Sequence, residues 1–199
     1  MSGARPFSLA ALPVTPWRNG GGVTREIASV PRVADGGDFA WRASIATIDR
    51  DGGFSPFPGV DRSITLISGD GVILDNGQGV RHALVQQAEP YAFSGDDAIQ
   101  ATLAGGASQD FNIMTRRGEW QAQVQAISAA QTLPAGQSGV LYILSGDWQL
   151  TDGASDAPPL RLGPSQGVWW HLCASAWRLT LATPQGLALW AHIGPFGRP

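Results

Sequence analysis

The fold of this chain is decided by the stretch Ile64-Thr-Leu-Ile-Ser-Gly-Asp-Gly-Val-Ile-Leu-Asp75, which predicts two strands joined by a tight turn. Its apolar segments have the residue types of strands, and Ser-Gly-Asp-Gly between them is typical of a turn. The same pattern returns 77 residues later, in Leu141-Tyr-Ile-Leu-Ser-Gly-Asp-Trp-Gln-Leu-Thr-Asp152. We therefore predict the same β-hairpin twice.

A second pair of similar stretches has nearly the same separation. Trp41-Arg-Ala-Ser-Ile-Ala-Thr-Ile48 alternates like a strand with one buried face, and it resembles Trp120-Gln-Ala-Gln-Val-Gln-Ala-Ile127, 79 residues later. Two landmarks that keep their order and spacing indicate an internal repeat. Short strand patterns without a sustained helical period indicate a barrel or a sandwich.

The sequence thus predicts an all-β fold with two small jelly-roll barrels in one chain, a double cupin of the RmlC-like type. Each copy alone has few residues for a core, so we expect the copies to pack together. We place an N-terminal barrel with a polar pocket at residues 1–115 and a C-terminal barrel at residues 116–199. Terminal strands can exchange between the two.

Composition and charge exclude several classes of partner. The net charge is −3, with 13 basic residues that are all Arg and no basic patch, so we expect no nucleic-acid partner. No apolar window approaches the roughly 20 residues of a membrane span, and the first residues show no signal-peptide pattern. The single Cys173 cannot form an internal disulfide. We expect a cytoplasmic protein with no membrane partner.

The histidines do not have the spacing of a metal site. Cupins that bind a metal present two or three close His and a Glu, whereas His82, His171 and His192 are isolated here. We expect no metal and no other cofactor. A Gly-x-Ser-x-Gly motif is absent and Cys173 has no signature of an activated thiol, so no catalytic residue is assigned. Acid–base chemistry by Glu26, Asp61 or Asp110 stays open.

A glycine-rich stretch has two interpretations. It reads Pro16-Trp-Arg-Asn-Gly-Gly-Gly-Val-Thr-Arg-Glu-Ile-Ala28. One interpretation is a tight turn that leads into a strand over Val23–Ala28. The other is a loop that lines a small-molecule site with its backbone N–H groups and the side chain of Asn19. Both remain open from the residues alone.

Two further polar clusters are candidates for the same site. The first is Gly59-Val-Asp-Arg62, and the second is Asp110-Phe-Asn-Ile-Met-Thr-Arg-Arg-Gly118. Strand alternation puts Asp110, Asn112 and Met114 on one face and Phe111, Ile113 and Thr115 on the other. Asp110 and Asn112 would then face a polar space. The alternative is a connector between the barrels, with Arg116 and Arg117 in solvent.

Together these motifs resemble the HutD/Ves family. The resemblance is carried by the glycine-rich stretch, Trp41-Arg-Ala-Ser-Ile-Ala, Phe54-Ser-Pro-Phe-Pro-Gly-Val-Asp-Arg62, Phe93-Ser-Gly-Asp96 and the Asp110 cluster. It implies a double cupin without the usual metal ligands, encoded among histidine-utilisation genes in many bacteria. It further implies a small-molecule binder that moderates this pathway, with urocanate or a related carboxylate as ligand. Ves-type members need not lie in such operons.

The resemblance also implies a set of ligand-binding residues. By side-chain chemistry, Arg62 would take the ligand carboxylate, and Asn19, Asn112 and the loop N–H groups would form hydrogen bonds. Trp17 and Phe93 would form flat apolar walls. Arg25, Glu26 and Arg116 could be an ion-pair set that holds the loop. The full ligand set is Trp17, Asn19, Gly20, Gly21, Gly22, Arg62, Phe93, Asp110, Asn112 and Arg116.

Three functions remain open at this stage. We favour a non-enzymatic protein that binds a small organic acid in the first barrel. The first alternative is a cupin enzyme, an isomerase, a lyase or a dioxygenase, that acts on a small carboxylate. The second is an interaction protein, for example a homodimer, whose contacts come from Trp169, Trp170, Trp177 and Trp190.

Overall fold

The structure is a computed structural model that describes residues 3–32, 39–154 and 157–197. A short 3-10 helix spans Leu9–Ala11, and strands account for almost all other regular structure. In chain order the strands are β1 (Arg5–Ser8), β2 (Val14–Pro16), β3 (Gly22–Pro31), β4 (Phe39–Ile48), β5 (Gly52–Gly53), β6 (Val60–Ser68), β7 (Val72–Asp75), β8 (Arg81–Leu84), β9 (Pro90–Ser94), β10 (Gln100–Leu103), β11 (Ser108–Arg116), β12 (Trp120–Ile127), β13 (Gln131–Leu133), β14 (Ser138–Ser145), β15 (Trp148–Asp152), β16 (Leu160–Leu162), β17 (Gln166–Trp170), β18 (Trp177–Leu181) and β19 (Leu187–Pro195).

The chain divides into two compact units, which we name the first and the second barrel. The first barrel is Pro13–Ala122, and the second is Met1–Leu12 together with Gln123–Pro199. Relative to the predicted division at residues 115 and 116, the boundary lies seven residues later. The N-terminal strand β1 belongs to the second barrel, where it pairs with β17.

Each barrel consists of two antiparallel sheets. The first barrel has a six-stranded sheet in the order β2-β3-β4-β11-β6-β9 and a four-stranded sheet in the order β5-β10-β7-β8. The second barrel has a five-stranded sheet in the order β1-β17-β14-β19-β12 and a four-stranded sheet in the order β13-β18-β15-β16. The predicted all-β, two-barrel architecture is confirmed.

The internal repeat extends over eight strands. The order β4-β11-β6-β9 corresponds strand by strand to β12-β19-β14-β17, and β5-β10-β7-β8 corresponds to β13-β18-β15-β16. Strands β4 to β11 therefore form one copy, and strands β12 to β19 form the other. Three strands lie outside the repeat. Strand β1 extends the five-stranded sheet of the second barrel at its edge, and β2 and β3 extend the six-stranded sheet of the first.

The predicted hairpins are wrong in one respect. The strands β6 and β7 exist, but β6 pairs with β9 and β11 whereas β7 pairs with β8 and β10. The turn between them has Gly69 and Gly71 at φ 89°, and a Cβ at Gly69 would collide with the carbonyl oxygen of Ala107. This close packing against neighbouring backbone directs the chain from one sheet to the other. Strands β14 and β15 are divided between two sheets in the same way.

The two barrels have different interiors. One core cluster of the first barrel consists of aliphatic residues such as Ile64, Leu66 and Leu74, and Trp41 and Phe111 are also fully buried in this barrel. Trp148, Trp170, Trp177 and Trp190 lie in the core of the second barrel. Of the four Trp residues behind the predicted interaction surface, three are thus core residues, and Trp169 is only half-buried beside the guanidinium of Arg5. Among the described residues no helix is long and apolar enough to cross a membrane.

We expect Gly22→Ala to destabilise the first barrel by about 3 kcal/mol, at the upper end of overpacking substitutions. Its Cβ would collide with the carbonyl oxygen of Thr47, which is backbone and cannot move aside as a side chain can. Urea denaturation measures the free energy of unfolding. Gly52→Ala is the matched control, because its Cβ would lie 3.6 Å from Nδ2 of Asn19, an ordinary contact. Equal stability of the two variants would contradict this account of Gly22.

Candidate functional site

A cavity of about 540 Å³ lies in the first barrel. One wall is a face of the six-stranded sheet, to which β4, β6 and β11 contribute alternate residues. The loop residues Trp17, Arg18 and Asn19 line it from the glycine-rich stretch, and Phe54 and Phe57 line it from the segment after β5. The site therefore combines residues from the glycine-rich stretch, the segment after β5 and three strands.

Three cross-strand rows form the sheet wall of the cavity. The rows follow from the pairing of β11 with β4 on one side and with β6 on the other. In order along β11 they are Arg42, Met114 and Arg62; Ser44, Asn112 and Ile64; and Ala46, Asp110 and Leu66. All of these residues except Leu66 line the cavity.

The predicted face of β11 is confirmed. Asp110, Asn112 and Met114 point into the cavity, whereas Phe111 and Ile113 are almost fully buried on the other face. The alternative of a connector between the barrels is excluded for Ser108–Arg116, which pairs with strands on both sides, whereas Arg117 is exposed in the turn after β11. The polar side chains of Asp110 and Asn112 are thus buried and face the cavity.

Arg62 is a buried cation surrounded by aromatic rings. Arg62 is only 8% exposed. Its Cζ is 4.8 Å from the ring centre of Phe93, 5.3 Å from that of Phe54 and 5.6 Å from that of Phe57. Such contacts stabilise a desolvated guanidinium. Burial lowers the pKa of Arg62 to about 10, with Asp110 opposing the shift and Arg42 adding to it. Arg62 is therefore charged at neutral pH.

Asp110 is a buried acid in the same cavity. It is 3% exposed, and burial raises its pKa to about 7 although the charge of Arg62 opposes this shift. Asn112 lies one row away on the same strand and is 6% exposed. Near pH 7 the carboxyl group of Asp110 can therefore either accept or donate a proton.

Three buried polar atoms at the cavity have no hydrogen-bond partner among the described residues. They are Nε of Arg62, Oδ2 of Asp110 and Oδ1 of Asn112. A buried polar atom that stays unpaired costs about 1–3 kcal/mol, so native proteins pair nearly all of them. Their convergence on one cavity is the mark of a site that takes a polar ligand.

The glycines of the loop shape the turn and do not line the cavity. The N–H of Gly20 donates to the carbonyl oxygen of Trp17 at 3.0 Å, and the N–H of Gly21 donates to Oδ1 of Asn19 at 3.0 Å. The expected role of the loop N–H groups as ligand donors is thus wrong for these two glycines, because both groups are already bonded. Gly22 begins β3, where the carbonyl oxygen of Thr47 leaves no room for a side chain.

Trp17 and Asn19 do reach the cavity, and both are anchored. Nε1 of Trp17 donates to Oγ1 of Thr24 at 2.7 Å, and its ring meets that of Phe54 edge to face, with centres 6.1 Å apart. Nδ2 of Asn19 donates to the carbonyl oxygen of Gly53 at 3.4 Å. The loop is thereby fixed to the segment around Phe54, which completes the aromatic wall.

The remaining predicted residues lie outside the cavity lining. Phe93 supports Arg62 from β9 and does not itself line the cavity, so it is not the ligand wall that we expected. Arg116 donates from Nη1 to the carbonyl oxygen of Pro58 at 3.1 Å. Glu26 accepts from Nε of Arg42 at 2.7 Å, which differs from the predicted ion-pair set of Arg25, Glu26 and Arg116. The structure pairs Arg25 with Ile45 in the β3–β4 ladder.

Sequence reasoning missed Arg42, Ser44, Phe54 and Phe57 as lining residues. All four lie within motifs that carry the family resemblance, so the motifs contained a signal. Their convergence depends on the pairing register of β4 with β11 and on the path of the chain after β5. Neither can be obtained from the spacing of residues alone.

Among the residues that the structure describes, the second barrel has no counterpart of this polar site. The repeat places Gly139 where the first barrel has Arg62, and Gly139 pairs with Trp170 as Arg62 pairs with Phe93. A Cβ at Gly139 would lie 2.5 Å from Cζ2 of Trp170, so the indole occupies the space of a side chain there. By the same register, Ala188, which pairs with Ile143, takes the position of Asp110. Trp190, which pairs with Leu141, takes the position of Asn112.

The histidines lie in three separate environments. His82 stacks on Tyr91 with ring centres 3.7 Å apart, Nδ1 of His171 is 3.0 Å from Oγ of Ser138, and His192 packs against Trp190. Within the described part of the chain, no three His, Cys, Asp or Glu side chains form a group that could hold a metal ion. The expectation of a site without metal or cofactor stays a prediction.

We expect Asp110 to make stability depend on pH. Its pKa is about 7 in the folded protein and about 3.9 in an unfolded chain, so the folded protein binds more protons between these values. Stability therefore falls as the pH rises from about 4 to about 7, by at most about 4 kcal/mol. Asp110→Asn should remove this fall and exceed the wild type in stability above pH 7. Urea denaturation at pH 5 and pH 8 measures both.

The control for this pH dependence is Asp49→Asn, which changes an exposed acid. Its pH profile should match that of the wild type. If Asp110→Asn kept the wild-type profile as well, the carboxyl group of Asp110 would not be the group that titrates.

Comparison with known proteins shows the family of the chain. The HutD family model matches residues 10–189. A protein Ves from Citrobacter koseri is 40% identical over 188 residues, which are 94% of this chain and 92% of the relative. A protein Ves from Cronobacter sakazakii is 41% identical over 188 residues, 94% of this chain and 97% of the relative.

Solved structures agree with this family and with the fold. HutD from Pseudomonas fluorescens, in a formate condition, has a TM-score of 0.81 and 26% identity, covering 98% of this chain and 100% of that chain. A cupin barrel protein from Leptotrichia buccalis, at 10% identity and a TM-score of 0.63 over 98% of both chains, shows the fold alone. The predicted cupin fold and the resemblance to HutD and Ves proteins are confirmed. The chain belongs to the HutD family.

Proposed function

We propose that the first barrel binds a small organic acid, that the ligand is urocanate or a related carboxylate of histidine degradation, and that the protein thereby moderates histidine utilisation. The observation that carries the proposal is the buried charge of Arg62, whose Nε has no partner among the described residues. The link to histidine utilisation rests on what the resemblance to the HutD family implies.

The charges around the cavity favour an anion as ligand. Arg42 is neutralised by Glu26, with Nε and Oε2 2.7 Å apart. Arg62 has no carboxylate within ion-pair distance in the described part of the chain. The carboxyl group of Asp110 acts on its charge only from a longer distance. An unpaired buried charge is strongly unfavourable. A carboxylate ligand would pair with the guanidinium in a planar, charge-assisted geometry.

The walls of the cavity favour a flat ligand. Trp17, Phe54 and Phe57 contribute rings on the side opposite the sheet. Flat apolar surfaces of this kind suit a planar conjugated acid, whereas the few polar groups fix its orientation. Urocanate, an imidazole ring joined to an acrylate, has this shape.

One observation favours an enzyme as the second candidate. Asp110 has a pKa of about 7 in a cavity, which is the range in which a carboxyl group works as a general acid or base. A cofactor-free isomerase or lyase would need such a group. Turnover of the bound acid, followed by proton NMR, tests this candidate. Product formed by the wild type and not by Asp110→Asn would support it, and an unchanged acid would support a binding protein.

We expect Arg62→Ala to weaken the binding of urocanate by about 10- to 100-fold, since it removes a charge-assisted contact. The affinity of Arg62→Lys for urocanate should lie between those of the wild type and of Arg62→Ala, because an ammonium group keeps the charge and loses the planar pair of donors. Isothermal titration calorimetry measures the affinities. Arg178→Ala is the control, because Arg178 is an exposed arginine of the second barrel.

Two outcomes would change the proposal. Full affinity in Arg62→Ala would remove Arg62 from the carboxylate site. A folded wild-type protein that binds neither urocanate nor any other small acid would overturn acid binding as the function.

A further inference from the structure

Charged and polar groups are ordered along the sheet wall of the cavity. Arg42 and Arg62 flank Met114 in one row, which we name the arginine end. Asp110 lies four residues away on the same strand, about 13 Å along β11 at the usual rise of a strand. Asn112 lies between them. The wall is thus cationic at one end and acidic at the other.

In the described part of the chain, the acidic end has two buried acceptor atoms without a donor. Oδ2 of Asp110 and Oδ1 of Asn112 are buried and have no partner among the described residues. We name this pair the acceptor end. An ionised carboxylate has only acceptors and an amide oxygen is an acceptor, so both atoms need an N–H or O–H from the ligand. A plain carboxylate at the arginine end would leave both atoms unpaired.

Most neighbours of the acceptor end are aliphatic and have no hydrogen-bond donor in their side chains. Asp110 is flanked in its row by Ala46 and Leu66, and Asn112 has Ile64 on one side. Among these neighbours only Ser44, in the row of Asn112, has a side-chain hydroxyl. No described residue donates to Oδ2 of Asp110 or to Oδ1 of Asn112, so a bound ligand with an N–H or O–H would satisfy them.

We infer that the cavity selects a bipolar acid, one whose carboxylate lies at the arginine end and whose far end presents an N–H donor to Asp110 and Asn112. These two residues are then the specificity-determining residues of the site, and a planar heterocyclic acid with a ring N–H belongs to the class. The inference rests on the proposed function, since it presumes that an acid binds here.

The reverse orientation is unfavourable on the same grounds. It would place the ligand carboxylate beside the carboxyl group of Asp110, and the N–H donor would face Arg42 and Arg62, which have donors alone. The order of the rows therefore fixes the direction of the ligand as well as its class.

A pair of acids with the same shape tests the inference. Urocanate carries a ring N–H, whereas 3-(2-furyl)acrylate has the same acrylate arm on a ring whose heteroatom only accepts. Calorimetric titration of the full chain should give about tenfold or more tighter binding of urocanate, because the furan leaves the two buried acceptors unpaired. This comparison uses the wild type and needs no variant to fold.

Variants assign the preference to Asp110. Asp110→Leu should reduce the ratio of the two affinities to near one, mainly by weakening urocanate. Asp110→Asn keeps one acceptor oxygen and should retain part of the ratio, and it decides the question if Asp110→Leu does not fold. Asp49→Leu, at an exposed position of the same barrel, should keep the wild-type ratio.

The outcomes separate the two proposals. Equal wild-type affinities for the two acids would overturn the bipolar class and leave acid binding intact. A ratio that stays unchanged in both Asp110 variants would also overturn the role of Asp110. If neither acid binds the folded wild type, the proposed function fails and the inference fails with it.

Discussion

The site depends on keeping a guanidinium charged inside a barrel. Arg62 lies among Phe54, Phe57 and Phe93, whose ring centres are 4.8–5.6 Å from its Cζ. The rings compensate part of the lost hydration without forming a salt bridge. A buried carboxylate at ion-pair distance would have satisfied the arginine and closed the site to anions. Asp110 instead lies two rows away, so the positive charge of Arg62 can pair with an anion that enters the cavity.

The comparison of the two barrels shows what takes the place of such a site. Both copies have the same strand order, yet Gly139 with Trp170 replaces Arg62 with Phe93. The indole fills the volume that a longer side chain at position 139 would need. In the second copy, closely packed side chains therefore fill the space that is a cavity in the first, and this packing stabilises the second barrel. One repeat supplies the site and the other supplies a core.

Much of the fold could be predicted from the sequence, and the limits are physical. Alternation placed Asp110, Asn112 and Met114 on one face, since that depends only on the two-residue period of a strand. The turn after Ser68 was found, but its strands pair elsewhere because pairing is decided by contacts between distant segments. Arg42 lines the site because its strand register places it beside Met114. The N–H groups of Gly20 and Gly21 are not ligand donors, because they are bonded within the loop. Local pattern carries neither fact.

The place of β1 has a consequence for how the polypeptide can be divided and synthesised. The N-terminal strand completes the sheet of the second barrel by pairing with β17, more than 150 positions further along. No single cut yields two whole barrels, whereas an excised segment from Pro13 to Ala122 would keep every strand of the first. During translation the first barrel has all its strands before the second has its central ones. The leading strand can pair only after β17 has been synthesised, so the second barrel closes after the first has all its strands.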